Sequence, residues 1–305
     1  MTSLVRLTSV SSKILFQKLS AHAFEDLTTI RLIEQWLIRK RGYVIRMPRP
    51  NTPVILSFSG GLDSTVLLGL LVEKFHLVVY PFYVADQPRS EREIKSAQEI
   101  IRVVQKRAPG AVQPLVRYHN SLVGAWAYRN TELDVTQRGL INTIVDFRQQ
   151  ASLLHAHYLY KKYGIRIPIM LCGIQYDDSR HNPAQTLTGM RTTMFNMCVK
   201  TGVYDWQFFS LFLEKEFGYL FDKDELVRIG QQLKLPLELT WSCFRRGEQH
   251  CGRCGNCKTR MAVFQKAGIK DQTIYRTHKF AHESLIHFGG LRHQLVKRLR
   301  RKLSL

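Results

Sequence analysis

The segment Val54-Ile-Leu-Ser-Phe-Ser-Gly-Gly-Leu-Asp-Ser-Thr65 restricts the fold of this chain more than any other stretch. Val54, Ile55, Leu56 and Phe58 form the unbroken apolar run of a strand buried on both faces, and Ser64 to Leu71 continues at helical spacing. Between them Ser59, Gly60, Gly61, Leu62 and Asp63 must turn the chain from strand to helix. Paired glycines permit positive φ and close approach of a ligand to the backbone. The amides that open the helix then converge on a concavity that favours anions. The turn therefore predicts a phosphate cradle. A Walker A loop would need Gly-Lys-Ser, whereas Ser64 follows Asp63 directly here, which argues against kinase or GTPase chemistry. A turn that merely needs glycines would explain Gly60 and Gly61 but not the two serines and the aspartate.

The rest of the chain repeats a strand and helix rhythm. Strands are expected at 77–84, 112–118 and 167–171. A helix is expected at 91–107, and another carries Ile144, Phe147, Ala151, Leu154 and Tyr158. This alternation predicts a parallel sheet in an α/β domain. Ligands of such sheets lie beyond the carboxyl ends of the strands, so 173–183, with Asp177, Asp178, Arg180 and His181, is placed on the functional edge. Residues 119–140 lack periodicity and read as an irregular excursion near the site. The run 208–217 reads as a further helix, and Asp222 as the cap of the next. Lys223 then sits at the positive end of a helix dipole, where it either points to water or is compensated by an anion.

Upstream, 24–41 reads as a helix that offers Trp36 and its apolar neighbours for packing. The first twenty residues hold serines and bases but no acid, a composition shared with transit peptides; the packing residues favour a docking helix with a loose start. No apolar run is long enough to span a bilayer, so a soluble, cytoplasmic protein is expected. The formal charge of +21 attracts nucleotides, nucleic acid or an acidic partner without specifying which. Arg292, Lys297, Arg298, Arg300, Arg301 and Lys302 form a basic amphipathic tail, which suits RNA, an acidic protein, a membrane surface or plain solvent.

Four of the six cysteines are clustered, as Cys243, Cys251, Cys254 and Cys257. The C-x2-C-x2-C spacing brings three thiolates to one ion and Cys243 completes a tetrahedral set, which predicts a structural Zn2+ site with no open position. An iron-sulfur cluster is the rival for four thiolates. His250 is not needed as a ligand, and Cys172 and Cys198 read as buried thiols. The expected organisation is a helical extension (1–50), a nucleotide domain (51–236), a zinc module (237–275) and a basic tail (276–305).

Ser-Gly-Gly-x-Asp-Ser at 59–64 resembles the pyrophosphate loop of the N-type ATP pyrophosphatases. Together with Thr240-Trp-Ser-Cys243, the cysteines and arginine of 251–260, and Phe264-x-x-Ala-Gly-Ile269, it resembles the 7-cyano-7-deazaguanine synthases (QueC-like) over roughly 54–270. The resemblance implies an adenine nucleotide alpha hydrolase-like (Rossmann-like) fold. It also implies adenylation of 7-carboxy-7-deazaguanine by ATP, conversion to an amide by ammonia, and a second ATP-driven step to the nitrile. Ser59, Gly60, Gly61, Leu62, Asp63 and Ser64 would hold the β,γ-pyrophosphate, Arg148 and Lys223 would neutralise its charge, Asp63 would help bind Mg2+, and Asp178 would orient the acceptor or nucleophile.

The chain departs from this family where substrate is handled. Val145-Asp-Phe-Arg148-Gln149 keeps the arginine of the family's V-P-x-R-N but not its proline and asparagine, Ala184-Gln-Thr186 replaces D-C-R after Pro183, and Val84-Ala-Asp-Gln87-Pro replaces Y-G-Q-x-H. These changes keep a second acceptor in play, a protein amine, with an operon-encoded partner, as in synthase-like proteins of antiviral defence. A nucleotide-regulated nucleic-acid binder suits the charge but shows no RNA-binding motif. A tRNA-thiolating relative would want a reactive cysteine, for which Cys172 at a strand end is the candidate.

Overall fold

The computed structural model describes residues 7, 9, 11–85, 90–119, 138–180, 182–245 and 247–276, the side chains of 90, 119 and 138–149 excepted. Strand β1 (Pro53–Ser57) pairs in parallel with β2 (Val78–Ala85) on one side and β4 (Ile169–Cys172) on the other. With β3 (Val116–His119) and β5 (Gln207–Phe209) it makes a five-stranded parallel sheet of order β3-β2-β1-β4-β5. Val54, Ile55 and Leu56 have no exposed surface, because β1 is central and covered on both faces.

Helix α3 (Leu62–Gly69), prolonged by a wider turn at Leu70–Lys74, joins β1 to β2, and α4 (Ser90–Arg107) leads from β2 towards β3. Helix α5 (Arg138–Tyr163) lies between β3 and β4 and packs on β1 and β2. Right-handed crossovers put α5 on the face opposite α3 and α4, because the order reverses direction after β3. The reversal leaves a crevice beyond the carboxyl ends of β1 and β4.

Most expected elements lie within a few residues of their positions, but 208–217 is not a helix. Gln207–Phe209 is strand β5, β6 (Leu213–Glu214) forms an antiparallel pair with β7 (Tyr219–Leu220), and Lys215–Phe217 is a single tight turn. Phe208, Phe209, Leu211, Phe212 and Leu213 are all buried, and a run covered on every side has no periodicity to distinguish helix from strand. The strand expected from 112 begins at Val116. Pro114 has no N–H for the ladder, and Val112 makes only an isolated bridge to Val79.

Two helices precede the sheet. Helix α1 (Ser12–Ser20) was not expected; α2 (Leu27–Arg41) starts at Asp26, whose Oδ1 accepts from Thr28 N and Thr29 N at 2.9 and 3.0 Å. Trp36 packs edge-on against Phe195 and Tyr204 at 4.8 and 5.6 Å. Ile33 and Leu37 enter the same core as the sheet. Short helix α6 (Tyr176–Ser179) follows β4, and α7 (Leu187–Thr201) packs on α2. Arg191 of α7 is fully buried between Glu214 (2.6 Å) and Glu34 of α2 (2.9 Å), so α2, α7 and the β6–β7 pair share one charge network. Helix α8 (Lys223–Gln232) packs on α3 and on α9 (Gly255–Ala267), which carries the last cysteine. Among the described residues no helix is long and apolar enough to cross a membrane. The excursion at 120–137 and the basic residues at 292–302 lie outside the described residues.

Candidate active site

The strand-to-helix turn is held from three sides. Phe58 is buried and donates its N–H to Phe82 O at 2.9 Å, which continues the ladder into the turn. Gly60 has φ +69°, and a Cβ there would stand 2.6 Å from Ala97 N and 2.9 Å from Glu93 O, so the backbone of α4 presses directly on it. Gly60 O accepts from Trp241 N at 2.9 Å, which ties the turn to the segment leading into the cysteine cluster. Inside the turn, Gly61 O accepts from Thr65 N (3.0 Å), Thr65 Oγ1 (2.8 Å) and Ser64 Oγ (3.1 Å). Gly61 N donates to Ser59 Oγ at 3.3 Å, and Ser59 Oγ lies 3.3 Å from Ser64 Oγ. The amides of Leu62, Asp63 and Ser64 open α3 and have no carbonyl within the helix to receive them.

Three distant segments meet in front of those amides. Lys223, the first residue of α8, places Nζ 3.1 Å from Asp63 Oδ2 and 3.8 Å from Asp178 Oδ1. Its backbone N donates to Asp177 Oδ2 at 3.3 Å, while Glu225 accepts from Asp222 N at 2.7 Å. Lys223 is thus a cation at a helix start compensated by anions, and Asp63 foremost holds its ammonium above the ordinary lysine range. Asp63 Oδ1 is buried with no hydrogen-bond partner among the described residues. Asp178 is pushed up to about 6, chiefly by burial and further by Asp63, with Lys223 opposing. At the end of β4, a Cβ on Gly173 would lie 2.8 Å from Ser64 N, so strand end and turn are in contact.

These groups line one cavity of about 410 Å3. Ser59, Gly61, Leu62, Asp63 and Ser64 form one side, and Asp178, Gln185 and Lys223 another. Tyr83 and Glu93 face in from β2 and α4, the tyrosine donating to the carboxylate. Ser242, Asn256, Thr259 and Arg260 contribute a wall from the cysteine module. Cys172, also at a strand end, is buried and lines the same space, whereas Cys198 is buried in the core. Neither Tyr83 nor Glu93 was singled out from the sequence: the place of Tyr83 near the carboxyl end of β2 was the one available signal, and Glu93, an acid in the first turn of α4, carried none.

The four cysteines converge: the Sγ atoms of Cys243, Cys251, Cys254 and Cys257 lie within 4.8 Å of one another, with Cys243–Cys254 and Cys251–Cys257 both 3.9 Å apart. One tetrahedral ion with metal–sulfur bonds of about 2.3 Å spaces its thiolates by about 3.8 Å, so the set fits a single metal ion. Backbone amides of Arg245 and Cys251 point at Cys243 Sγ at 3.3 and 3.4 Å. His250 stands outside the set, its Nε2 accepting from Ser242 N at 3.1 Å. Buried Arg260 joins Asp271 (3.1 Å), Thr240 Oγ1 (2.7 Å) and Leu237 O (2.8 Å), which clamps the module to the segment that reaches Gly60.

Asp63, Asp178 and Lys223 are therefore brought together at the glycine turn, with the cysteine set beside them. The side chain of Arg148, in α5, lies outside the described residues, as do Asp86 and Gln87.

A family model described as "Queuosine biosynthesis protein QueC" matches residues 53–268. A 7-cyano-7-deazaguanine synthase of Nitratiruptor sp. is 23% identical over 229 residues, 73% of this chain and 98% of the relative. Another, of Methanothrix thermoacetophila, is 52% identical over 54 residues, but that match spans 18% of this chain and only 24% of the relative. Among solved structures, the U34-tRNA thiolase NcsA from Methanococcus maripaludis with its [4Fe-4S] cluster overlaps 88% of this chain and 84% of its own at 14% identity and a TM-score of 0.37, too loose to build on.

Proposed function

The chain belongs to the QueC family, and on that footing we propose that it uses ATP to load AMP onto the carboxylate of a 7-deazaguanine acid and then passes the acyl group to an amine. A carboxylate oxygen attacks the α-phosphorus, the bond to the β-phosphate breaks, and pyrophosphate leaves. Ammonia then displaces AMP to give the amide, and a second ATP activates the amide oxygen on the way to the nitrile. The observation that carries the reading is a lysine held 3.1 Å from Asp63 before the amides that open α3, in the same cavity as Asp178. Amides of 59–64 grip the outer phosphates, Lys223 and Arg148 neutralise the charge that develops as pyrophosphate departs, and Asp178 orients the acid.

Mg2+ suits this site because Asp63 Oδ1 is buried without a partner among the described residues; Asp63 would help hold the ion, which would screen phosphate charge. For the cysteines the assignment is Zn2+ rather than an iron-sulfur cluster, whose separate irons would spread the thiolates more widely than 4.8 Å. A closed four-thiolate shell leaves no open position, so this metal is structural. The replaced segment Ala184-Gln185-Thr186, with Gln185 on the cavity wall, favours one further reading, transfer to a protein amine in place of ammonia.

The test is incubation with ATP, Mg2+ and 7-carboxy-7-deazaguanine, with and without ammonia, followed by product mass and pyrophosphate release. Release should require the acid and should collapse in Asp63→Ala. A variant that released pyrophosphate as fast as the native chain would overturn the assignment. A product formed only with a co-expressed protein, heavier by the deazaguanine acyl group, would decide for the protein acceptor.

A further inference from the structure

Residues 12–41 precede the family-matched segment; the later part of α2 packs on α7 and the main core, while α1, the link after it and the start of α2 meet the polypeptide from α6 to the first turn of α7. Leu15 and Leu19 of α1 and Ile30 of α2 form a buried cluster with Tyr176 and Leu187. Tyr176 OH donates to Lys18 O at 3.2 Å. In the link between α1 and α2, buried His22 accepts at Nδ1 from Phe24 N (3.3 Å), so its neutral ring carries the proton on Nε2 and donates to Ser179 Oγ at 2.9 Å. Ser179 Oγ in turn donates to Tyr176 O at 2.6 Å. Glu25 receives Leu187 N, Thr188 N and Thr188 Oγ1 at 2.7, 2.8 and 2.7 Å, and Thr188 Oγ1 accepts from Asp26 N at 2.8 Å. The carboxylate therefore caps α7 from another part of the chain.

What these contacts hold is significant for the cavity. Ser179 follows Asp178, and Leu187 comes two residues after Gln185; Asp178 and Gln185 both line the cavity, while their neighbours face the extension. Asp178 also faces Lys223 and Asp63, so a small shift of α6 changes its distance to both. By contrast, the glycine turn is pinned by α4 and Trp241 and receives no hydrogen bond from residues 12–41 among the described residues. The extension thus reaches one wall of the cavity and not the other.

We propose that residues 15–30 are a brace for the acid-substrate wall, with His22 and Glu25 as positioning residues that set Asp178 and Gln185. The assignment of that wall to the acid rests on the function proposed above; the bracing does not. A merely structural extension would loosen the whole fold when weakened. A brace loosens 176–188 and leaves the nucleotide side alone.

The test uses the full chain carrying His22→Ala together with Glu25→Ala, beside His22→Gln, whose amide can replace the Nε2 donor. In hydrogen exchange, amides of 176–188 should exchange faster in the double variant while those of 57–65 keep native rates. A non-hydrolysable ATP analogue should bind within about twofold of native affinity. The KM for 7-carboxy-7-deazaguanine should rise about tenfold or more with kcat much less affected, since small misplacements weaken oriented binding steeply, and His22→Gln should restore most of it. Uniformly faster exchange, or unchanged exchange at 176–188 in a folded variant, overturns the brace. Native protein that releases no pyrophosphate with the acid sinks the proposed substrate alone, and the exchange pattern still decides the brace. A double variant that fails to fold passes the decision to the milder Glu25→Gln, read in the same way.

Discussion

Replacing Gly60 by alanine isolates the feature on which the proposed nucleotide site depends, a turn trapped between its own left-handed conformation and the backbone of α4. At φ +69° a Cβ costs about 1–2 kcal/mol in conformation alone. It would also lie 2.6 Å from Ala97 N and 2.9 Å from Ala97 Cα and Glu93 O, all backbone atoms of a long helix that cannot swing aside like a side chain. Forcing such an overlap costs roughly 1–3 kcal/mol more, so Gly60→Ala should destabilise by about 2–5 kcal/mol. The neighbouring Gly61→Ala is the internal control. Gly61 has φ −78°, and its added Cβ meets Ser59 Oγ at 3.3 Å and Trp241 O at 3.6 Å, so only the weaker helix-start preference of alanine is lost, about 1 kcal/mol or less. Urea unfolding reads the difference: Gly60→Ala should lower the midpoint by roughly 1 M or more at an unchanged slope, Gly61→Ala by much less. Titration with a non-hydrolysable ATP analogue reads the consequence, since relieving the overlap must shift the amides of 62–64. Equal midpoints for the two variants, with native nucleotide affinity in Gly60→Ala, would refute the idea that α4 fixes the cradle.

Lys223→Ala should cut pyrophosphate release by about 10²–10³, the loss expected when one preorganised charge at a developing anion is removed; a change below tenfold would show that Lys223 serves only Asp63 and Asp178. Asp178→Asn tests the raised carboxyl. With the folded value near 6 against an ordinary 3.8, the folded chain binds more protons than the unfolded one across that window, so native stability falls as pH rises through it. The asparagine variant lacks this slope, and its melting temperature relative to native should climb between about pH 4 and pH 6; a flat difference would mean that Asp178 titrates normally. Metal analysis should find one Zn2+ per chain. Chelation should lower the melting temperature and weaken ATP binding, because the module holds Gly60 O through Trp241 N; retention of both would uncouple the module from the turn.

The parts of the site that could be read in advance are short in sequence. The glycine turn joins a buried strand to a helix over a few residues, so the types of those residues are enough to predict amides facing an anion. Cysteines separated by two residues are constrained covalently to reach a common ion, which is why 251–257 was legible, with Cys243 close enough in sequence to be read as the fourth ligand. Expectations failed where burial erased the pattern. In 208–214 every side chain is buried, and the backbone chose strand and hairpin because β4 offered an open edge at Ile169–Leu171. Glu93 and Thr259 escaped notice for the opposite reason, being ordinary polar residues in ordinary settings until the fold placed them around one cavity.

By itself the sequence determined the strand-to-helix cradle, the four-thiolate site and the α/β rhythm, since each depends on contacts between near neighbours in the chain. Only the tertiary structure brought Asp63, Asp178 and Lys223 within 3.8 Å of a common point and set the N-terminal helices against the opposite wall. Those meetings depend on strand order and on which way each crossover turns, quantities that no single segment encodes.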